Sequence, residues 1–142
     1  LHYTQFIKRL ADSGQLRLAA GDERRVYHDP CELGRGCGVY KEPREVLTQV
    51  GTLVKAAKEG DESVCCGGSL GSLTLDERDR AKITESSVAN LMANAPRTIV
   101  TACPLCLKTF SESVGGTASG SVEDPVKVMD FAEMVARSTE SS

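Results

Sequence analysis

The chain has 142 residues, a net charge of −3, 40% hydrophobic residues and 26% charged residues, which are typical values for one globular domain. Positive and negative side chains are interspersed, so no basic patch supports binding to nucleic acid. No apolar run approaches the roughly 18–20 residues that span a bilayer, so we expect no membrane span in this segment.

The first half of the chain predicts two helices and two strands. The first helix should end near Gly14 and bury apolar side chains three and four residues apart: Tyr3, Phe6, Ile7 and Leu10. Residues 24–28 predict a strand. A second helix should open at Pro43 and bury Val46, Leu47 and Val50. Residues 52–57 predict a weaker strand, with a helix as the alternative.

The next segment predicts a long helix followed by a buried strand. Thr74 and Glu77 have the spacing of a capping box for a helix that should run to about Ala95, before Pro96. The apolar stripe of this helix should be Ala81, Val88, Leu91, Met92 and Ala95. Residues 98–101 are β-branched and uncharged, which is typical of a buried parallel strand.

Another helix should start at Pro104, and residues 114–125, rich in glycine and serine, predict a loop. Residues 126–129 predict the last strand. Asp130 should cap a final helix that carries Phe131, Met134 and Val135. We expect residues 138–142 to form a disordered tail.

Helices and strands alternate, which predicts an α/β fold: a parallel sheet flanked by helices in a Rossmann-like three-layer arrangement. Such sheets bind ligands at the carboxyl ends of their strands. Cys31 follows one predicted strand, Cys103 follows another, and we expect the Cys65–Cys66 pair to follow a third. The three cysteine groups should therefore meet at one edge of the sheet.

The chain has six cysteines, and their grouping limits their chemistry. A disulfide framework is one interpretation, but the helix–strand alternation favours a reducing compartment, where grouped cysteines bind metal or do redox chemistry. Cys103 and Cys106 lie at a helix start, where the dipole favours thiolate, and their spacing fits a metal-ligand pair, a redox dithiol or coincidence. The neighbours Cys65 and Cys66 are poorly placed to bond to each other, but they can donate to different metals of one cluster. Glycines follow this pair and let the backbone approach closely, and a phosphate loop is disfavoured because no Gly-Lys-Ser/Thr follows.

The intervals between the cysteines indicate a family. Thirty-three residues separate Cys31 from Cys65-Cys66-Gly67, and thirty-six separate that pair from Cys103-x-x-Cys106. Four short sequence segments near the cysteines belong to the same pattern: His28-Asp29-Pro30-Cys31, Leu33-Gly34-Arg35, Gly38-Val39-Tyr40 and Thr101-Ala102-Cys103-Pro104. Over residues 1–137 the chain resembles the cysteine-rich CCG domain of heterodisulfide reductase. Its relatives include the iron–sulfur subunits of anaerobic glycerol-3-phosphate dehydrogenase, glycolate oxidase and lactate-utilisation proteins.

This resemblance implies an iron–sulfur site. Its ligands would be Cys31, Cys65, Cys66, Cys103 and Cys106, and the expected group is a [4Fe–4S] cluster of the non-cubane kind. In heterodisulfide reductase that cluster is where the substrate disulfide is split, and in other relatives such domains are associated with electron passage between a flavoprotein and a quinone or other acceptor. We therefore expect a redox module that is inactive alone and relays electrons or reduces a disulfide. The alternatives are a structural zinc domain closed by four of the thiolates and a metal-free dithiol oxidoreductase.

The resemblance also bears on the parent protein. Family members usually carry two such domains in tandem, and residues 1–142 resemble the second copy. Because the chain also lacks an initiator methionine, we expect a single C-terminal CCG domain excised from a larger protein. The expected partners are the tandem CCG domain and a ferredoxin-type or flavin subunit. The expected location is the cytoplasm, with membrane association through partner subunits.

Three further residues lie close to the predicted site in sequence. Cys37 is not a ligand in the family pattern, so a free loop thiol is favoured, although Gly34 and Gly36 could turn the chain towards the site. His28 is interpreted first as a structural histidine at a strand end, with a hydrogen bond to sulfur as the alternative. Arg35 could balance an anionic cluster, and a solvated surface position is equally consistent with the sequence.

Overall fold

The computed structural model describes residues 1–68, 73–116 and 125–139. The elements are α1 (Tyr3–Asp12), β1 (Arg24–His28), α2 (Lys41–Val50), β2 (Thr52–Val54), α3 (Glu77–Leu91), β3 (Thr98–Thr101), α4 (Pro104–Gly116), β4 (Lys127–Asp130) and α5 (Phe131–Arg137). Short helical turns lie at Glu32–Gly36, which is a π-helical turn, and at Gly60–Glu62 and Met92–Asn94. None of the described helices is long and apolar enough to cross a bilayer.

The four strands form one sheet in the order β2-β1-β3-β4, and every neighbouring pair is parallel. The two central strands, β1 and β3, end together, because His28 pairs with Thr101, which in turn pairs with Asp130 of β4. The predicted parallel α/β architecture is therefore confirmed, and the carboxyl ends of three strands share one edge.

The core has two layers, one on each face of the sheet. On one face, helices α1, α2 and α5 pack over strand residues such as Tyr27 and Val100. On the other face, α3 and α4 pack over Val26 and Ile99. Because side chains alternate along a strand, neighbouring residues of one strand contribute to opposite layers. The predicted three-layer arrangement is confirmed.

Several details of the sequence prediction need correction. Phe6 is exposed rather than buried, and α1 is capped by the His2 side chain, which accepts from the Thr4 N–H. Helix α2 begins at Lys41, before Pro43, and β2 covers only three of the residues predicted for it. The segment at residues 114–116 belongs to α4, and the rest of the predicted loop up to residue 124 lies outside the described residues.

The predicted interface of α3 is also wrong in part. Asp76, not Thr74, caps this helix by accepting a hydrogen bond from the Asp79 N–H. Ala81 and Ala95 are exposed, whereas α3 buries Thr84, Ser87 and Leu91.

At the end of the chain, Asp130 caps α5 as predicted, accepting from the Ala132 N–H. Residues 138 and 139, expected in a disordered tail, are ordered instead, because Thr139 forms a β-bridge with Leu18. Residues 140–142 of that predicted tail lie outside the described residues.

Candidate metal centre

Three segments bring cysteines to the carboxyl edge of the sheet. Cys31 follows β1 after Asp29 and Pro30, and Cys103 follows β3 and leads directly into α4. Cys106 is in the first turn of α4. The Cys65–Cys66 pair follows β2 only after an intervening segment that contains the turn Gly60–Glu62, so it arrives from a loop rather than from a strand end.

The five predicted cysteines form one connected group. The Cys31 thiol interacts with the Cys65 thiol, and the Cys65 thiol interacts with the Cys66 thiol. The Cys106 thiol interacts with the thiols of both Cys66 and Cys103. Cys66 and Cys106 are buried, with 2% and 5% of their surface exposed, and the other three are half-buried. The fold thus brings sulfur atoms from distant parts of the chain into mutual contact.

A cavity of about 410 Å³ opens beside this group. Its walls include Cys31, Cys66, Cys103 and Cys106, together with the apolar side chains Leu33 and Leu105. Cys37 also lines this cavity, although it is exposed and lies outside the connected group of thiols. The group can thus be reached from the cavity while its inner sulfurs stay shielded from water.

Positive and N–H groups surround the sulfurs. The Gly67 N–H donates to Cys65 Sγ at 3.4 Å, and the Gly68 N–H donates to Cys66 Sγ at 3.3 Å. Arg35 Nη2 donates to Cys31 Sγ at 3.3 Å, so this side chain contacts the site rather than only solvent. Donors of this kind stabilise thiolate, which is the form that ligates metal.

The pKa values of the thiols are shifted by their contacts with one another. The hydrogen bond from Cys106, helped by the Gly68 N–H, lowers the pKa of Cys66, and the same hydrogen bond raises the pKa of Cys106. Burial, together with the contact to Cys65, raises the pKa of Cys31 to about 11. The contacts between the thiols therefore favour the thiolate form of Cys66 and the protonated form of Cys106.

Helix α3 holds the loop of the cysteine pair through two polar side chains. The Thr84 hydroxyl donates to the Cys66 carbonyl at 2.7 Å, and the Ser87 hydroxyl donates to the Val64 carbonyl at 3.2 Å. Directly after these two carbonyls the chain turns at Gly67, whose φ is +85°, and a Cβ there would lie 3.0 Å from the Arg80 carbonyl oxygen. Thr84 and Ser87 were not predicted from the sequence, because an apolar stripe was the only signal used to find the buried face of α3.

A buried ion pair fixes the loop that carries Cys31. Asp29 accepts from both terminal nitrogens of Arg44, at 2.6 and 2.7 Å, and from the Gly60 N–H at 2.9 Å. Arg35 joins the same two loops, because its Nη1 donates to the Ser63 carbonyl at 2.8 Å. The Asp29–Arg44 pair was not predicted either. No local sequence pattern indicates that an acidic residue after a strand pairs with a basic residue in the middle of a helix.

The donor chemistry fits a metal group bound by several thiolates, since sulfur ligands suit zinc and iron–sulfur clusters. Within the described ranges, no three histidine, cysteine or carboxylate side chains stand in an arrangement that could hold a metal ion as they are placed. The fit therefore rests on the number of thiols, their mutual contacts and the cavity beside them, and not on a preformed coordination polyhedron.

Fold and thiol arrangement together define a class: cysteine-rich α/β domains that present several thiols at one edge of a parallel sheet. The chain belongs to the CCG cysteine-rich domain family, whose family model matches residues 25–111. That match includes all five cysteines of the connected group.

Three relatives place the chain among longer proteins. Over 99% of its length the chain is 35% identical to a probable membrane-anchored ferredoxin of Chromohalobacter salexigens, and over 98% it is 32% identical to the EtfAB:quinone oxidoreductase of Syntrophomonas wolfei. Over 96% of its length it is 28% identical to a subunit of the dihydromethanophenazine:CoB–CoM heterodisulfide reductase of Methanosarcina barkeri. The chain spans 21%, 20% and 33% of these three relatives.

Proposed function

We propose that this chain is an iron–sulfur redox module of a larger oxidoreductase. The observation that carries the proposal is the connected group of five thiols, drawn from three separate segments, beside one cavity. Relatives named as a ferredoxin, a quinone oxidoreductase and a heterodisulfide reductase subunit support an electron-transfer role. A bound iron–sulfur group would supply the capacity to accept and release electrons.

The proposed ligands are Cys31, Cys65, Cys66, Cys103 and Cys106, and the proposed group is a [4Fe–4S] cluster. Two adjacent thiolates, at 65 and 66, can donate to different irons of one cluster, and the resemblance to the heterodisulfide reductase domain is the reason for proposing the non-cubane form. The protein's own contribution is to hold five sulfurs together, to place N–H donors and the Arg35 guanidinium next to them, and to keep the inner pair away from water.

We further propose that the module passes electrons between partner domains, or to a disulfide bound in the cavity. Splitting a disulfide consumes two electrons and two protons and yields two thiols. An electron-donating partner therefore has to deliver those two electrons to the site. The proposed partners are a second domain of this family and a ferredoxin-type or flavin subunit of the same parent protein. Residues 1–142 would then be one domain of a cytoplasmic oxidoreductase that meets the membrane through partner subunits.

Anaerobic reconstitution with iron and sulfide tests the proposal. We expect the wild-type chain to bind iron and acid-labile sulfide in nearly equal amounts and to give an EPR signal after redox poising. Cys66→Ser should lose most of this iron, because Cys66 contacts the thiols of both Cys65 and Cys106. Cys37→Ser is the matched control: it removes a thiol from the same cavity but outside the connected group, so iron content should not change.

The zinc alternative predicts a different outcome of the same experiment. One zinc per chain as purified, with no uptake of sulfide and no EPR signal after reconstitution, would contradict the proposal and favour a structural role. Equal iron contents in the Cys66→Ser and Cys37→Ser variants would also contradict it.

A further inference from the structure

Two polar side chains at the carboxyl ends of β1 and β3 are buried without a hydrogen-bond partner in the described part of the chain. The His28 Nε2 atom and the Thr101 hydroxyl each lack a partner within the described part of the chain. His28 is 2% exposed and Thr101 is fully buried. An unpaired buried polar group loses its hydrogen bonds to water without replacement, so a pair of them calls for a physical explanation.

The two side chains are neighbours on the same face of the sheet. His28 and Thr101 are paired in register at the carboxyl ends of β1 and β3. Alternation along the strands places them on the face of Val26 and Ile99, which pack in the core layer that contains Cys66 and Cys106. The unpaired groups and the two most buried sulfurs therefore share one layer.

A ring contact ties His28 to the helix that carries Cys106. The His28 ring meets the edge of Phe110 at a centroid distance of 4.7 Å, and Phe110 lies one helical turn after Cys106 on α4. The phenylalanine restricts the imidazole, and the register with β3 keeps the Thr101 hydroxyl beside it. These contacts hold the two side chains in place but give neither of the two polar atoms a hydrogen-bond partner.

The chemistry of the two groups suits a sulfur acceptor. Burial lowers the pKa of His28 to about 4, so its ring is neutral at pH 7 and carries one N–H. Cys66 and Cys106, the two most buried sulfurs of the group, lie in this same core layer. Sulfurs of an iron–sulfur group accept hydrogen bonds, so a bound group would offer these two buried donors an acceptor.

We propose that His28 and Thr101 donate hydrogen bonds to sulfur of the bound iron–sulfur group and so raise its reduction potential. The inference rests on the proposed function, because it needs that group to be present. Hydrogen bonds to cluster sulfur stabilise the more negative, reduced form, and they are among the factors that set the potential. The two residues are thus positioning and tuning residues, not ligands.

Four variants of the reconstituted chain test this role by EPR-monitored redox titration. Thr101→Val keeps the shape and removes the hydroxyl, and His28→Leu removes the ring nitrogen. Both should bind iron but give a more negative midpoint potential than wild type. Thr101→Ser and His28→Gln each retain a donor, so their potentials should return towards the wild-type value.

A second measurement, without metal, separates this role from a structural one. In the metal-free chain, Thr101→Val removes an unpaired buried hydroxyl, so its urea midpoint should equal or exceed that of wild type. A structural hydroxyl would instead give a lower urea midpoint. That result would overturn the inference.

The outcomes distinguish the inference from the proposed function. If wild type takes up no iron and sulfide, both fail. If wild type binds the group and Thr101→Val and Thr101→Ser have the same potential and EPR spectrum as wild type, the inference fails and the proposed function stands. The two Thr101 variants, Thr101→Val and Thr101→Ser, test the inference even if His28→Leu does not fold, because these two substitutions change the size of the side chain least.

Discussion

At the scale of single residues, the site is built by polar side chains that lie around the cysteines and bind the loops carrying them. Asp29 is the clearest case: it is 1% exposed, yet it satisfies Arg44 and the Gly60 N–H at once. Arg44 also lies over the Tyr27 ring, at 5.2 Å from its centroid. The first cysteine of the group therefore follows a residue that is held by three hydrogen bonds.

Asp29→Ala should lower the free energy of unfolding by about 3–5 kcal/mol, because it leaves the Arg44 guanidinium partly buried without its bidentate partner. Urea denaturation of the metal-free chain measures this loss.

The control substitution lies on α2, the helix that carries Arg44. Lys41 forms an exposed ion pair with Glu45, and Lys41→Ala should cost less than about 1 kcal/mol. Similar losses for the two variants would show that the buried pair does not anchor the loop.

Residues of this kind explain what the sequence could not supply. The sequence predicted that Cys31 and Cys103 reach one edge, because each follows a central parallel strand, whereas the Cys65–Cys66 pair reaches that edge from a loop and not from the predicted strand end. It could not predict Arg44, Thr84 or Ser87, since each acts through a contact distant in sequence and none belongs to a motif. Hydrophobic periodicity cannot detect a buried helix face that is made of hydroxyl-bearing side chains.

At the scale of elements, the loop that carries the cysteine pair and helix α3 form one unit. Two hydroxyls of α3 hold the carbonyls of Val64 and Cys66, and Gly67 turns the chain tightly against the helix. The boundaries of this unit were the least accurate part of the sequence prediction. Thr74 and Glu77 matched a capping box, but Asp76 is nearer to the helix and takes that role.

Gly67→Ala should destabilise the chain by at least about 1 kcal/mol, because an alanine at a φ of +85° is strained. Its Cβ would also lie 2.8 Å from the Thr84 hydroxyl, which holds the loop. The variant should therefore lose iron on reconstitution as well as stability.

Gly36→Ala is the matched control, since a Cβ at Gly36 meets no atom within 4 Å and its φ is not positive. That variant should keep wild-type stability and iron content. If Gly67→Ala also kept both, the tight turn would not be needed to place the cysteine pair.

At the scale of the whole molecule, the strand order of the sheet explains why the cysteines lie at one edge. The central strands β1 and β3 end side by side, and each delivers a cysteine within three residues of its last residue. The strand assignments of residues 24–28 and 98–101 were accurate because both segments are short and contain β-branched or aromatic residues, which favour a strand. The alternation of elements predicted the fold class, but the positions of the side chains around the thiols required the folded chain.

The most direct measurement of the central claim is anomalous X-ray diffraction from crystals of the anaerobically reconstituted chain, recorded at the iron and zinc absorption edges. We expect iron peaks at the cavity beside Cys31, Cys66 and Cys106, with no zinc peak there. Iron located elsewhere, or a single zinc peak surrounded by four of these sulfurs, would contradict the assignment of this edge as an iron–sulfur site.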